Sequence, residues 1–189
     1  LYIAEYAAKD PCYVIKLDAK GRLVDRWLVK AGMNCIAKDS QDNIYVGEEL
    51  GWRVLKFDTE GNLLLEIGRT FSSPHGISVD NQGNIFVLSQ QFMSQAMAEK
   101  FDPEGKLLTR WDGRESGWGF AEPHDLAVDN RGYVYVSDTI GRRIAKFTSE
   151  GKYVTEWPRS REWYYPRGIV ADTTGNLYVV SNFPARIKI

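Results

Sequence analysis

The sequence predicts an all-β fold, namely a β-propeller built from four-stranded antiparallel blades. The first observation is a segment that occurs four times, with starts 41, 49 and 43 residues apart. The second is that each copy leads into short strands of alternating apolar and polar residues, separated by turns. The third is that Phe, Trp and Tyr make up 13% of the 189 residues, and aromatic side chains favour sheets. A period of roughly 40 to 50 residues with four strands is typical of propeller blades.

The recurring segment is the predicted first, innermost strand of each blade. Its copies start at Met33, Pro74, Pro123 and Pro166, and they end at Asp39, Asp80, Asp129 and Asp172. Each closing aspartate precedes a short turn. Because an aspartate at the start of a tight turn accepts hydrogen bonds from its own backbone, we expect these four residues to fix turns rather than to act in catalysis.

Three further strands complete each unit. The second strand is predicted at residues 43–46, 84–87, 133–136 and 176–179, and a variable loop then leads into the third strand. Glycines at 21, 61, 105 and 151 mark the turn into the fourth strand, where a short turn needs a residue with positive φ. Alternation with a period of two builds a sheet with two distinct faces. One such sheet cannot bury both faces alone, so we expect the units to stack radially around a channel.

The repeat also predicts the domain organisation. Residues 1–189 form one propeller domain that is incomplete at both ends. Complete blades are expected at residues 30–72, 73–120 and 121–164, with partial blades at residues 1–29 and 165–189.

The pattern Pro-x-Gly-Ile-x-Val-Asp, then Gly-Asn-Ile-Tyr-Val, then Arg-Ile-x-Lys-Phe resembles the NHL-repeat family, and residues 123–157 match it most fully. The resemblance covers essentially the whole chain. It implies a six-bladed, TolB-like propeller, which would need about one and a half more blades. It also implies a scaffold rather than a particular reaction, since one fold hosts many functions. NHL propellers of the bacterial type are often exported, which favours an extracytoplasmic or secreted location.

Asn34, His75, His124 and Arg167 occupy the same place in successive units, at the start of the innermost strand. In a propeller that place lies at the mouth of the channel, so the four side chains are expected to converge on one ligand. The protein's two histidines both fall in this set. The leading hypothesis is therefore an interaction scaffold that binds a protein, peptide or small-molecule ligand at the channel mouth.

A zinc-dependent lyase or hydrolase is the alternative. Neutral imidazoles of His75 and His124 could bind zinc, with a third ligand from elsewhere. The segment from Pro74 to Asp80 resembles a metal-binding segment of the peptidyl-hydroxyglycine lyases. That resemblance implies zinc held by His75 and, more weakly, by His124. In the lyase or hydrolase hypothesis the metal would act as a Lewis acid, and Arg167 would orient an anionic substrate group. The competing interpretation is that both histidines are ordinary channel-lining residues that hydrogen-bond a neighbouring blade.

Two further features of the repeat concern the mouth. A second column of polar residues ends the second strand: Glu5, Glu48, Ser89, Asp138 and Ser181. A carboxylate there could bind a cation or a substrate hydroxyl, but we expect the column to accept hydrogen bonds from the following loop or an adjacent blade. The segments 90–97 and 114–120 depart most from the repeat. They could carry recognition or reflect drift, and Trp118 and Phe120 could cover the channel mouth or pack beneath the link between blades.

The charge is uneven along the chain, although the net value is −1. Residues 1–130 hold 14 basic and 20 acidic side chains, whereas residues 131–189 hold 10 and 5. RNA binding by the basic late blades is a third hypothesis, which rests on Arg142, Arg143, Lys146, Lys152, Arg159, Arg161, Arg167 and the aromatic residues 163–165. Because basic and acidic residues alternate along the outer strands, a solvated rim is the preferred interpretation, and nucleic acid is not an expected partner.

Several classes of function find no support in the sequence. No stretch approaches the roughly 20 apolar residues that cross a bilayer. Phosphate-cradling glycine loops and Cys-x-x-Cys metal motifs are absent, which argues against nucleotide-dependent and thiol chemistry. Cys12 and Cys35 fall on strands that are not neighbours, so a disulfide between them is not expected.

Overall fold

The computed structural model describes residues 1–5, 12–29, 32–68, 72–90, 95–117, 119–158, 165–182 and 185–188. These residues form eighteen β-strands and one short 3-10 helix, η1. In chain order they are β1 (Tyr2–Ala4), β2 (Cys12–Leu17), β3 (Leu23–Val29), β4 (Met33–Lys38), β5 (Ile44–Glu48), β6 (Arg53–Phe57), β7 (Leu63–Gly68), β8 (Pro74–Val79), β9 (Ile85–Ser89), β10 (Met97–Phe101), β11 (Leu107–Trp111), η1 (Arg114–Ser116), β12 (Pro123–Val128), β13 (Val134–Asp138), β14 (Arg143–Phe147), β15 (Tyr153–Pro158), β16 (Pro166–Ala171), β17 (Leu177–Asn182) and β18 (Ala185–Lys188).

The strands form five antiparallel meanders. Three sheets have four strands each, β4–β7, β8–β11 and β12–β15, and the sheets β1–β3 and β16–β18 have three. The innermost strands β4, β8, β12 and β16 lie side by side in that order, so successive sheets are arranged around a channel. The predicted all-β propeller of four-stranded antiparallel blades is therefore confirmed. No helix among the described residues has the length and apolar character needed to span a membrane.

The core lies between successive sheets rather than within any one of them. One layer brings Phe86, Leu88 and Ala98 of the β8–β11 sheet against Leu126 and Val136 of the next sheet. A second layer joins the β4–β7 and β8–β11 sheets, and a third joins β12–β15 to β16–β18. Burial of these apolar side chains stabilises the stack, because each of the three four-stranded sheets supplies a wall to two layers.

Aspartate turns close one end of the sheets, as predicted. The Asp129 carboxylate accepts hydrogen bonds from the backbone N–H of Arg131 and of Tyr133, each at 2.9 Å. The Tyr135 hydroxyl donates to the other oxygen at 2.8 Å, which ties the turn to the second strand. The same backbone pattern occurs at Asp39, Asp80 and Asp172.

The opposite end carries the variable loops. There the start of β4 lies against the end of β5, with Met33 opposite Glu48, and the end of β5 lies against the start of β6. The loops between second and third strands and the links between sheets therefore share this end with Asn34 and its counterparts. This end is called the mouth face below.

Buried ion pairs stabilise two of the three complete sheets. Asp138 is fully buried and accepts hydrogen bonds from the Glu122 N–H at 2.9 Å and from Arg143 Nε at 3.2 Å. Arg143 also donates to Glu156 at 2.7 Å. Glu48, Arg53 and Glu66 form the corresponding set in the β4–β7 sheet. Glu48 and Asp138 thus bond the residues that follow or adjoin them, as expected for the second polar column.

The β8–β11 sheet has a different arrangement of charged residues. Ser89, Met97 and Arg110 stand where the other sheets have the acid, the arginine and the outer glutamate. The carboxylate is instead on Glu99, which is 1% exposed and has an oxygen, Oε2, without a hydrogen-bond partner among the described residues. Burial raises the pKa of Glu99 to about 7, although Arg110 and the Ser89 hydroxyl favour its ionised form.

The described residues of the segment 114–120 pack against the β12–β15 sheet. Phe120 is buried and lies edge-on to Phe147, with ring centroids 5.7 Å apart. Arg143 binds this segment through Ser116 Oγ at 2.9 Å and through the Gly119 carbonyl. Of the two possibilities for Phe120, packing under the link is the one that the structure shows. Trp118 lies outside the described residues.

We predict that Glu99→Gln makes the protein less sensitive to alkaline pH. The folded chain holds the Glu99 proton more tightly than the unfolded chain, whose glutamates titrate near 4.5. The folded state therefore loses stability as the pH rises from about 4.5 through about 7. Between pH 5 and pH 8, the free energy of unfolding should therefore decrease by about 2–3 kcal/mol less in Glu99→Gln than in wild type.

Urea denaturation of wild type and variant at the two pH values measures this difference. Glu104→Gln, in an exposed turn, is the control and should behave as wild type. An unchanged pH dependence in Glu99→Gln would contradict the assignment of this titration to Glu99.

Candidate functional site

The innermost strands line a cavity of about 610 Å³. Residues of β4, β8, β12 and β16 form its walls, and all four of the predicted site residues, Asn34, His75, His124 and Arg167, are among them. A cavity of this size is within the range that binds small molecules or short peptide segments.

A β-bulge at the start of each innermost strand determines where these side chains point. In β8, Pro74 pairs with Ser89 and Gly76 pairs with Leu88, so His75 is an extra residue without a partner. The same one-residue shift occurs at the start of β4, β12 and β16. A bulge redirects a side chain out of the regular alternation, which explains why this position faces the cavity. Sequence periodicity alone did not predict the bulge.

The two histidines form a close pair. The His75 and His124 ring centroids are 6.1 Å apart and the rings meet edge to face at 66°. Burial is the main cause that lowers the pKa of each imidazole. The pKa of His124 is lowered further by Arg167 and then by His75. Two neutral imidazoles at neutral pH offer both hydrogen-bond donors and acceptors to a ligand.

The charges around the pair differ from one side to the other. Glu49 and Glu122 favour the protonated form of His75, whereas Arg167 opposes protonation of His124. The backbone N–H of Glu122 is anchored to the buried Asp138 carboxylate, which places this residue at the mouth. Sequence reasoning missed both glutamates, because neither occupies a repeated position.

Asp125 is a further cavity residue that sequence reasoning missed. It stands where the other innermost strands have Cys35, Gly76 and Gly168. Its carboxylate accepts hydrogen bonds from the N–H of Leu126 at 2.8 Å and from the N–H of Ile169, on the next sheet, at 3.1 Å. Burial raises the pKa of Asp125 to about 7, against the effect of these two hydrogen bonds.

The glycine at position 76 is required by this carboxylate. A Cβ atom at Gly76 would lie 2.6 Å from Asp125 Oδ1 and 3.0 Å from the Asp125 Cα. Because backbone atoms cannot move aside as a flexible side chain can, β8 and β12 approach this closely only with glycine here. The aspartate in place of a repeated glycine was the available signal in the sequence.

The described part of the chain does not provide a complete set of ligands for zinc. A protein zinc site takes three or four side-chain ligands. No group of three His, Cys, Asp or Glu side chains is arranged to hold a metal ion among the residues that the structure describes. Neither cysteine forms a disulfide among the described residues, and burial raises the pKa of the Cys35 thiol, which opposes formation of a thiolate ligand.

Several basic residues of the late blades are engaged within the protein. The Arg142 guanidinium lies over the Tyr165 ring, 5.3 Å from its centroid, and Lys146 lies 3.7 Å from the Tyr133 centroid. Arg143 is buried in the ion pairs described above. Arg159, Arg161 and residues 163–164 lie outside the described residues, as do residues 91–94 of the irregular segment 90–97.

Comparisons with known proteins support the fold. No family model and no curated protein sequence matches the chain. A solved structure of streptogramin B lyase aligns with a TM-score of 0.68 at 16% identity, covering 99% of this chain and 67% of the lyase chain. A catalytically inactive variant of virginiamycin B lyase from Staphylococcus aureus with quinupristin aligns with a TM-score of 0.68 at 14% identity, over 99% and 68% of the two chains. A nidogen/laminin complex gives a TM-score of 0.71 at 18% identity, over 95% and 70%. At these identities the similarity shows a shared β-propeller fold.

We predict that the pKa of His124 responds more to Arg167 than to His75. Arg167→Gln should raise it further than His75→Gln does, because the arginine contributes the larger electrostatic effect. Imidazole NMR titrations of the two variants and of wild type measure these shifts directly. Arg131→Gln, at the opposite end of the sheets, is the charge-matched control and should leave His124 unchanged. Equal shifts in the two site variants would show that the geometry at the mouth is different.

Proposed function

We propose that this chain belongs to an NHL-type, six-bladed propeller that serves as a binding scaffold, with its ligand at the channel mouth. The repeat pattern described above supports the NHL assignment. The ligand is a protein, a peptide or a small molecule, and Asn34, His75, His124 and Arg167 contact it.

The single observation that supports this proposal most strongly is the convergence of equivalent positions. Four different sheets each direct one polar side chain into the same cavity, and each does so through a bulge at the same place in the strand. Polar groups held by rigid strands around a concave surface are a common basis of ligand recognition. Aspartate turns, by comparison, occupy the opposite end and are saturated with internal hydrogen bonds.

A lyase or hydrolase is a second candidate. Structures of streptogramin B lyase and virginiamycin B lyase share the propeller fold. The neutral histidine pair beside Arg167 has the composition of a site that exchanges a proton with a substrate and orients an anionic group. In the zinc-dependent form of this hypothesis, His75 and His124 would supply two of the ligands and the third would come from outside the described residues.

We predict that peptides selected by this protein bind at the channel mouth. A random peptide library displayed on phage is panned against the chain, and the enriched peptides are titrated against the triple variant His75→Ala, His124→Ala, Arg167→Ala. Loss of these contacts should weaken binding at least about tenfold. The control is Arg131→Ala with Lys152→Ala, which removes positive charge away from the mouth. Equal binding to wild type and triple variant would overturn the proposed site.

Elemental analysis tests the zinc-dependent form separately. After incubation with zinc and gel filtration, one bound ion per chain that is lost in the His75→Ala, His124→Ala variant would support the metal-enzyme candidate. Bound zinc that persists in this variant, or no retained zinc, would remove these two histidines as zinc ligands.

A further inference from the structure

The loops between the second and third strands lie on the mouth face, at the same end of the sheets as Asn34 and its counterparts. Residues 49–52 connect β5 to β6, and residues 139–142 connect β13 to β14. Strand register places both loops at the end where the innermost strands begin. Thr139 shows how close these loops come to the next sheet, because its hydroxyl donates to the Pro166 carbonyl at 2.6 Å, one residue before Arg167.

Large apolar side chains are exposed in these two loops. Leu50 is 64% exposed and Trp52 is 53% exposed, and Ile140, which occupies the position equivalent to Leu50, is 55% exposed. A single exposed apolar residue is ordinary on a protein surface, but three on the face that also carries the predicted site residues favour an interaction surface.

The backbone at Trp52 is held in the left-handed region, with φ of 51°. Bulky side chains seldom adopt this conformation, and Gly or Asn would adopt it more easily. Arg142, the equivalent residue of the other loop, has φ of 54° and lies over Tyr165 at the entrance to β16. Arg142 thus shows that a side chain at this position can reach the entry of the next innermost strand.

The mouth has a positively charged group, Arg167, that can attract an acidic group of a ligand. Arg167 is exposed and opposes protonation of His124, whereas Glu49 and the exposed Glu122 favour protonation of His75. Glu122 also favours protonation of His124, but its effect on the His124 pKa is smaller than that of Arg167. A carboxylate entering the cavity is attracted towards Arg167 and repelled from the two glutamates.

We propose that the mouth face binds a peptide segment of a protein partner in which an acidic side chain stands near an aromatic or aliphatic one. The carboxylate pairs with Arg167, and the apolar side chain packs on the rim formed by Leu50, Trp52 and Ile140. This inference rests on the proposed function, since it identifies the ligand class of the same site. Tryptophan and arginine are the residue types that most often dominate the energy of protein interfaces.

The peptides enriched by panning provide the test. Trp52→Asn removes the largest apolar side chain of the rim but keeps a residue that tolerates positive φ, so the loop conformation is retained. Affinity should fall at least about fivefold in Trp52→Asn and in Arg167→Gln, and it should be largely kept in Arg167→Lys. Leu64→Asn is the matched control, because Leu64 is 52% exposed on β7, away from the mouth. It should leave affinity unchanged.

A paired change in the peptide identifies the ion pair. Replacing the peptide's acidic residue by its amide should weaken binding to wild type but cause no further loss in Arg167→Gln, as a double-mutant cycle requires for two groups in contact. Circular dichroism and urea denaturation of each variant confirm that the fold is intact.

The outcomes separate this inference from the proposed function. Peptides that depend on the histidines and Arg167 but tolerate Trp52→Asn and the amide substitution would overturn the inference and leave the mouth as the binding site. Peptides that bind the triple variant as tightly as wild type would overturn both this inference and the proposed function. Failure to enrich any peptide over a selection on empty beads would overturn the peptide class proposed here.

Discussion

The requirement that both faces of every sheet be covered determines the rest of this structure. Each meander carries apolar side chains on two faces, and each face is buried only when another sheet lies against it. The layers formed by Phe86 and Leu88 against Leu126, and by Tyr45 and Val54 against Ile77, satisfy this requirement. Stacking of this kind brings β4, β8, β12 and β16 to one channel, so the candidate site is a direct result of core packing.

Hydrogen bonds between sheets then hold the walls of the channel in position. Asp125 binds the backbone of Ile169 on the next sheet, and the Ser78 hydroxyl accepts from the N–H of Val128 at 3.1 Å. Ser137 Oγ donates to the Arg167 carbonyl. These bonds attach the bulged segments to neighbouring strands. Side chains on such a framework are displayed with little freedom to move, which lowers the entropic cost of binding.

Burial also sets the electrostatics of the site. The same desolvation that accompanies packing lowers the pKa of His75 and His124 and raises that of Asp125. The cavity has two neutral imidazoles, with one exposed guanidinium and two glutamates nearby. Charges of both signs therefore lie at its mouth. The β8–β11 sheet adds a second departure: its buried acid, Glu99, occupies a position that is apolar in the sheets on either side.

Local patterns in the sequence were sufficient for the fold class and for the turn aspartates. Strand alternation, the repeat spacing and the Asp-initiated turns are set by residues close together in the chain, so a single sequence carries them. The equivalence of Asn34, His75, His124 and Arg167 was also available, because the repeat aligns them. What only the tertiary structure decided are features that depend on strand pairing, on the facing sheet or on loop shape. The bulge that turns His75 into the cavity arises from the pairing of β8 with β9, which strand alternation does not reveal. The Gly76–Asp125 approach depends on the facing sheet, and the burial of Glu99 and the exposure of Trp52 depend on how the sheets pack and how one loop is shaped.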